Sequence, residues 1–179
     1  MSFLRRVFGG GTEPPDIADH PGPDGGRIDV GIFAGLFVAS PAAVDQWDLK
    51  GLTPMEWPAV EFKRLEIVKL GTLESILTGV PYEDIAQADR QGLVRNGGEE
   101  GPWVERVREL LVDALATMND SQVKSAALSW ADTDEFKARP TDKPSTDVIE
   151  GLAQSLPDMA GLARVSRERG EPMFLLMSL

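Results

Sequence analysis

Two stretches of this chain are continuously apolar, and they bracket a middle whose apolar positions recur mostly with a helical period. Residues 28–38, from Ile28 through Phe33, Leu36 and Phe37 to Val38, are β-branched and aromatic, which predicts a buried strand. Gly31 and Gly35 soften it, as at a bulge or a close backbone approach. Residues 172–178, with Met173-Phe174-Leu175-Leu176-Met177, predict a second buried strand. Ser40-Pro41 is a helix start, a capping residue followed by proline in the first turn, and the helix over 41–48 turns Val44, Trp47 and Leu49 inward. Thr53-Pro54-Met55-Glu56 repeats the signal, with Glu56 placed to close a capping box, but Pro58 leaves room for only a short turn.

Residues 59–78 carry two patterns at once. Phe62, Leu65, Leu73 and Ile76 share a helical face, whereas Val60 and Phe62, and Leu65 and Ile67, alternate as strand residues do. Either one helix spans 59–78, or a strand over 60–68 leads into a helix over 70–78. Pro58 suits a first helical turn and favours the single helix, which Gly79 ends in either case.

The clearest helical period runs from 102 to 118, through Trp103, Val107, Leu110, Leu111, Ala114 and Met118. Asn119-Asp120 breaks it and caps a helix over 121–131 with Val123, Ala127 and Trp130 as its apolar stripe. So short a joint predicts an antiparallel helical hairpin over about 102–131. Ser145 or Thr146 then opens a long helix with Val148, Leu152, Leu156, Met159 and Ala163 on one face. Pro157 lies inside it and is expected to kink or split it, and Gly170 with Pro172 closes it. The expected fold class is α+β: a mostly helical single domain over 28–179, with a small sheet pairing the strands near 28–38 and 172–178. Residues 1–27, rich in Pro and Gly, are expected to form a flexible lead, since such a composition cannot offset its ordering entropy.

Composition narrows the chemistry. A chain of 179 residues with 42% apolar and 26% charged content is an ordinary globule. Its one histidine, His20, falls in the lead, and it has no cysteine. The folded body therefore lacks imidazole and thiol, the commonest neutral-pH bases, soft-metal ligands and activated nucleophiles. Carboxylates, lysines, arginines, hydroxyls and Tyr82 remain, and no cofactor is implied. No apolar run approaches the ~18 residues of a membrane span, and the first residues show no secretory apolar core, so a cytoplasmic protein without membrane partners is expected. The net charge of −11 opposes phosphate backbones and disfavours nucleic acid. Residues 99–150 concentrate it, with twelve acids against six bases.

Asp132, Asp134 and Glu135 form the most chemical-looking cluster. Three carboxylates within four residues are oxygen ligands of the kind Mg²⁺ or Ca²⁺ takes, and Asp132 and Glu135 would share a face if the helix continued. A solvated acidic helix end, or a cap for a new turn, is the simpler account. Asn96-Gly97-Gly98-Glu99-Glu100-Gly101-Pro102 is expected to feed a helix N-terminus, but Glu99 and Glu100 occupy the electropositive end where a phosphate would sit. Ser121 and Lys124 match S-x-x-K without the accompanying elements of acyl-transfer enzymes. Glu61, Glu66 and Glu74 are candidate acid/base carboxylates, although Glu66 sits three residues before Lys69 and is expected to pair with it. Arg164, Arg167 and Arg169 complement the C-terminal dipole of the last helix. The expectation that follows is a non-enzymatic binding protein of inhibitor, immunity or accessory type, docking a basic partner through an acidic face of Glu99, Glu100, Asp132, Asp134 and Glu135. The alternative is a divalent-metal or carboxylate-dependent hydrolase using Asp132, Asp134 and Glu135.

Overall fold

A computed structural model of the chain describes residues 33–49, 57–63, 65–89, 92–99 and 101–178. The expected lead over 1–27, the first residues of the strand expected at 28–38, the turn at 53–56, and Glu100 lie outside the described residues.

Five strands, all antiparallel, form one sheet: β1 (Phe33–Val38), β2 (Ala59–Lys63), β3 (Leu93–Asn96), β4 (Trp103–Arg106) and β5 (Met173–Ser178), in the order β2-β1-β5-β4-β3. The two apolar runs of the sequence are thus the central pair, with Phe33 opposite Ser178 and Val38 opposite Met173. Their continuous apolarity has a physical cause, because both sheet faces are covered. Ala34, Leu36, Val38, Met173 and Leu175 face the main core, while Phe37, Phe174 and Leu176 face a second cluster with Val44, Ala39 and Val104. On that second side Phe37 stacks on Trp57 and on Phe174, with ring centroids 5.3 and 5.4 Å apart, and meets the edge of Trp47 at 5.7 Å. Helix α1 (Pro41–Gln46) contributes Val44 there, with Ser40 accepting from the Ala43 amide as its N-cap.

The main core lies between the sheet and α2 (Ile67–Thr78), α4 (Glu109–Ala116), α5 (Asp120–Ala131) and α6 (Thr146–Arg169). Trp130 on α5 is fully buried in it and donates its indole N–H to the Lys69 carbonyl at 2.9 Å. The caps expected from the sequence are in place. Asn119 and Gln122 make a reciprocal capping box at the head of α5, and Gly79 (φ 74°) and Gly170 (φ 64°) end α2 and α6 in the left-handed conformation that favours glycine. Helix α6 contains Pro157 on its exposed side and runs through it without dividing. Helices α4 and α5 follow one another through a short joint, and each packs against α6 and α2.

Two expectations need correction. Residues 59–78 are not one helix: Ala59–Lys63 is β2, hydrogen-bonded to β1, and the helix begins at Ile67. Strand alternation decides it, since Val60 and Phe62 enter the main core while Ala59 joins the opposite cluster. The helix expected at 102 begins at Glu109, because Trp103–Arg106 is β4, between β5 and β3. Val104 is buried on the sheet face opposite the helices, so the helical spacing of Trp103 and Val107 is coincidental. Helix α3 (Tyr82–Asp89) and β3 have no counterpart in the sequence expectations, both being short and largely exposed. Among the described residues no helix is long and apolar enough to cross a membrane.

Candidate functional site

The acidic cluster at the end of α5 does not converge. Asp132 is the C-cap of α5, with its carboxylate 2.7 Å from the ammonium of Lys137, a side chain only 9% exposed. Thr133 is extended (φ −77°, ψ 158°), which stops the helix and removes the shared face expected for Asp132 and Glu135. Asp134 opens a 3-10 turn over Asp134–Phe136 and is exposed, while Glu135 is half-buried with one carboxylate oxygen lacking a hydrogen-bond partner. The turn is held by Phe136, whose ring meets Trp130 edge-on at 5.4 Å and lies 5.3 Å below the Lys69 ammonium. Among the described residues no group of three carboxylates or histidines stands close enough to share a metal ion. Asp132, Asp134 and Glu135 do not form such a group in this structure.

The glycine-rich segment is the tip of the β3–β4 hairpin instead of a helix entry. Three of its amides are already used: Gly97 N–H donates to the Pro102 carbonyl (2.8 Å), Gly98 N–H to the Asn96 side chain (2.9 Å) and Gly101 N–H to the Gly98 carbonyl (3.3 Å). A Cβ on Gly97 would fall 2.7 Å from the Gly101 carbonyl oxygen and from Pro102, so the close crossing requires glycine there. Glu99 is exposed on this tip, away from any helix N-terminus. Ser121 donates its hydroxyl to Asn119 at 2.6 Å as part of the α5 cap, and both Ser121 and Lys124 are exposed, which gives the S-x-x-K pattern a structural role.

The three candidate glutamates are separate. Glu61 is on β2, Glu66 is the N-cap of α2 with a carboxylate oxygen 3.5 Å from Lys69, and Glu74 is inside α2. Glu74 is the unexpected one. Its side chain is 2% exposed and stands 3.3 Å from Nε of Arg108, a pairing across 34 residues that no local pattern announces.

Of the arginines near the end of α6, Arg164 and Arg167 reach α4, while Arg169 lies 3.9 Å from Glu171. Arg167 contacts Glu109 at 2.7 Å and Asp113 at 2.6 Å, and donates to the Glu109 backbone carbonyl at 3.0 Å. Arg106 donates to the other Glu109 oxygen at 2.8 Å. The Arg106 hydrogen bond, with Arg167 adding to it, holds the Glu109 carboxyl below its ordinary pKa against the opposing effect of partial burial.

What remains of the acidic face is the set of carboxylates that no cation engages. Asp142 lies 3.8 Å from Arg139, and Asp132 is taken by Lys137. Asp120, Asp134, Asp147 and Glu150 are exposed without an ion pair, on α5, the 3-10 turn and the first turns of α6. Composition had pointed to this stretch but not to these members. No protein-family model matches the chain, and neither a curated protein nor a solved structure matches it.

Proposed function

We propose that this protein is a cytoplasmic, non-enzymatic binding module of inhibitor, immunity or accessory type that docks a basic partner protein through the acidic surface of residues 120–150. The observation that carries the proposal is the set Asp120, Asp134, Asp147 and Glu150, exposed and free of intramolecular ion pairs. Carboxylates already paired, such as Asp132, must exchange one cation for another and gain little on binding, whereas free ones add their full attraction. In a chain of net charge −11 they also steer a cationic surface during encounter, which raises the association rate more than the lifetime of the complex.

The test is capture of a partner by the full chain from its own lysate, then calorimetry and stopped-flow association with the purified partner at about 50 and about 500 mM salt. A basic partner whose association slows steeply with salt, and slows again with Asp120→Asn, Asp134→Asn, Asp147→Asn and Glu150→Gln combined, supports the proposal. Binding indifferent to both salt and the four substitutions overturns it.

A further inference from the structure

The tip of the β3–β4 hairpin carries an asparagine–glycine dipeptide whose chemistry is governed by two hydrogen bonds. The sequence has two asparagines, Asn96 and Asn119. Asn119 is followed by Asp120, and its side chain accepts from the Ser121 and Gln122 amides at the head of α5. Asn96 is exposed at the end of β3 and is followed by Gly97. Because Gly97 has no Cβ, its amide nitrogen meets little hindrance in approaching the side-chain amide carbon Cγ of Asn96. The fold enforces this dipeptide, since a Cβ at position 97 would fall 2.7 Å from the Gly101 carbonyl oxygen and from Pro102.

The two hydrogen bonds act in opposite senses. Gly97 N–H is donated to the Pro102 carbonyl at 2.8 Å, which ties the attacking nitrogen to the other arm of the hairpin. Gly98 N–H is donated to Asn96 Oδ1 at 2.9 Å, which polarises the Cγ carbonyl and stabilises the negative charge that develops on its oxygen during attack. Only the first bond has to break. It lies at the exposed tip of a hairpin whose outer strand has four residues, the kind of segment that opens locally at a fraction of the cost of global unfolding.

We infer that Asn96 is a spontaneous modification site gated by the hydrogen bond between Gly97 and Pro102. When the tip opens, Gly97 N attacks Cγ, the Cγ–Nδ2 bond breaks, and ammonia leaves with the Gly97 amide proton, giving a succinimide. Water then opens the ring. Cleavage between Gly97 N and Cγ yields aspartate, and cleavage between Gly97 N and the backbone carbonyl carbon of residue 96 yields isoaspartate, with one extra methylene in the main chain. No oxidant or reductant enters. Aspartate keeps an oxygen to accept from Gly98 N–H and leaves β3 in register with Trp103. Isoaspartate lengthens the chain directly after Arg95, whose guanidinium holds the Val44, Asp45 and Trp47 carbonyls, and so loosens α1. The site is separate from the acidic surface of residues 120–150.

The experiment ages the full chain at mildly alkaline pH, folded and in unfolding concentrations of urea, and follows it by peptide-mapping mass spectrometry. Conversion adds about 1 Da, and an isoaspartyl-directed methyltransferase counts the isoaspartate fraction. The expected gain is confined to the Asn96 peptide, with Asn119 unchanged. The folded chain is expected to convert about 10- to 1,000-fold more slowly than the chain in urea, equivalent to a local opening cost of about 1.4–4 kcal/mol. Equal rates overturn the gate, a greater slowing shows that only global unfolding exposes the site and overturns local opening, and no conversion in urea overturns the site itself. Asn96→Gln, whose longer side chain would need a larger ring, abolishes the gain. Asn96→Asp supplies the aspartyl product, and its amide NMR spectrum should match the parent over residues 44–47, whereas the aged isoaspartyl fraction shifts there. An isoaspartyl fraction with parent-like resonances over 44–47 overturns the link to α1.

Discussion

Arg95 holds α1 against the sheet from the far side of the sequence, and removing its guanidinium tests how that short helix is stabilised. Its Nη1 donates to the carbonyls of Val44 (2.7 Å) and Asp45 (2.6 Å), and its Nη2 to that of Trp47 (3.2 Å). These carbonyls lie at the C-terminal end of α1, where a helix leaves acceptors short of backbone donors, although Val44 also accepts from the Trp47 amide at 3.2 Å, and α1 has no basic residue of its own in its last turn. With only six residues, α1 has no stability in isolation. A hydrogen bond to a charged group is worth about 1.5–3 kcal/mol. The site is partly exposed and its carbonyls regain water when the guanidinium is lost, so Arg95→Met is expected to cost about 2–3 kcal/mol in total for the three bonds. At a urea m-value of about 2 kcal/mol/M this lowers the unfolding midpoint by about 1–1.5 M with no change in slope. Arg95→Lys keeps the charge but not the fork and is expected to lose about 1 kcal/mol. Trp47 follows α1 directly and touches Phe37 and Trp57, so its fluorescence should shift before global unfolding in the Met variant. A Met variant within about 0.5 kcal/mol of the parent, with unchanged emission, would refute the capping argument.

Trp130→Phe removes the indole donor to the Lys69 carbonyl and is expected to cost about 1–2 kcal/mol, while Trp130→Ala opens the core and costs about 3–5 kcal/mol, both measured by thermal unfolding. Asn119→Ala removes the side-chain half of the α5 capping box, leaving its backbone N–H bond to Gln122, and should lose about 1 kcal/mol in urea titration. Glu109 has a lowered pKa, so its contribution is fully present above the unfolded-chain value of about 4.3 and is lost as pH falls through the lower folded value. Glu109→Gln should therefore flatten the acid limb of a stability-versus-pH curve. Because the Glu109 side chain is 52% exposed, the difference should stay below about 1 kcal/mol and shrink with salt.

Local rules were readable wherever the physics is local. Ser40-Pro41, Asn119, Gly79 and Gly170 mark helix ends in the sequence because capping and the left-handed turn depend on one or two residues. The central strands were readable because burial on both faces leaves an uninterrupted apolar run. The segment at 59–78 was misleading because a five-residue strand is too short to outweigh a helical period that continues into the next element. Trp103 and Val107 fit a helix by spacing alone, and only the sheet, with Val104 buried on its opposite face, separates them. The long-range polar contacts, Arg95 to α1 and Arg108 to buried Glu74, join residues dozens of positions apart, where sequence pattern carries no signal.

The pairing of β1 with β5 also sets how the chain finds its structure. Every rung between Phe33 and Ser178 closes a loop of about 140 residues, at an entropic cost of about 4 kcal/mol before any contact rewards it. Helices α2, α4, α5 and α6 depend on much nearer neighbours and are free to collapse first. The centre of the sheet is therefore the topologically remote part of the molecule, which raises its contact order and slows folding relative to a helical bundle of equal size. The same register leaves Phe33 and Ser178 directly across from one another, so a short covalent bridge between those positions would convert the costliest loop closure into a local turn and permit the chain to be reopened elsewhere as a circular permutant.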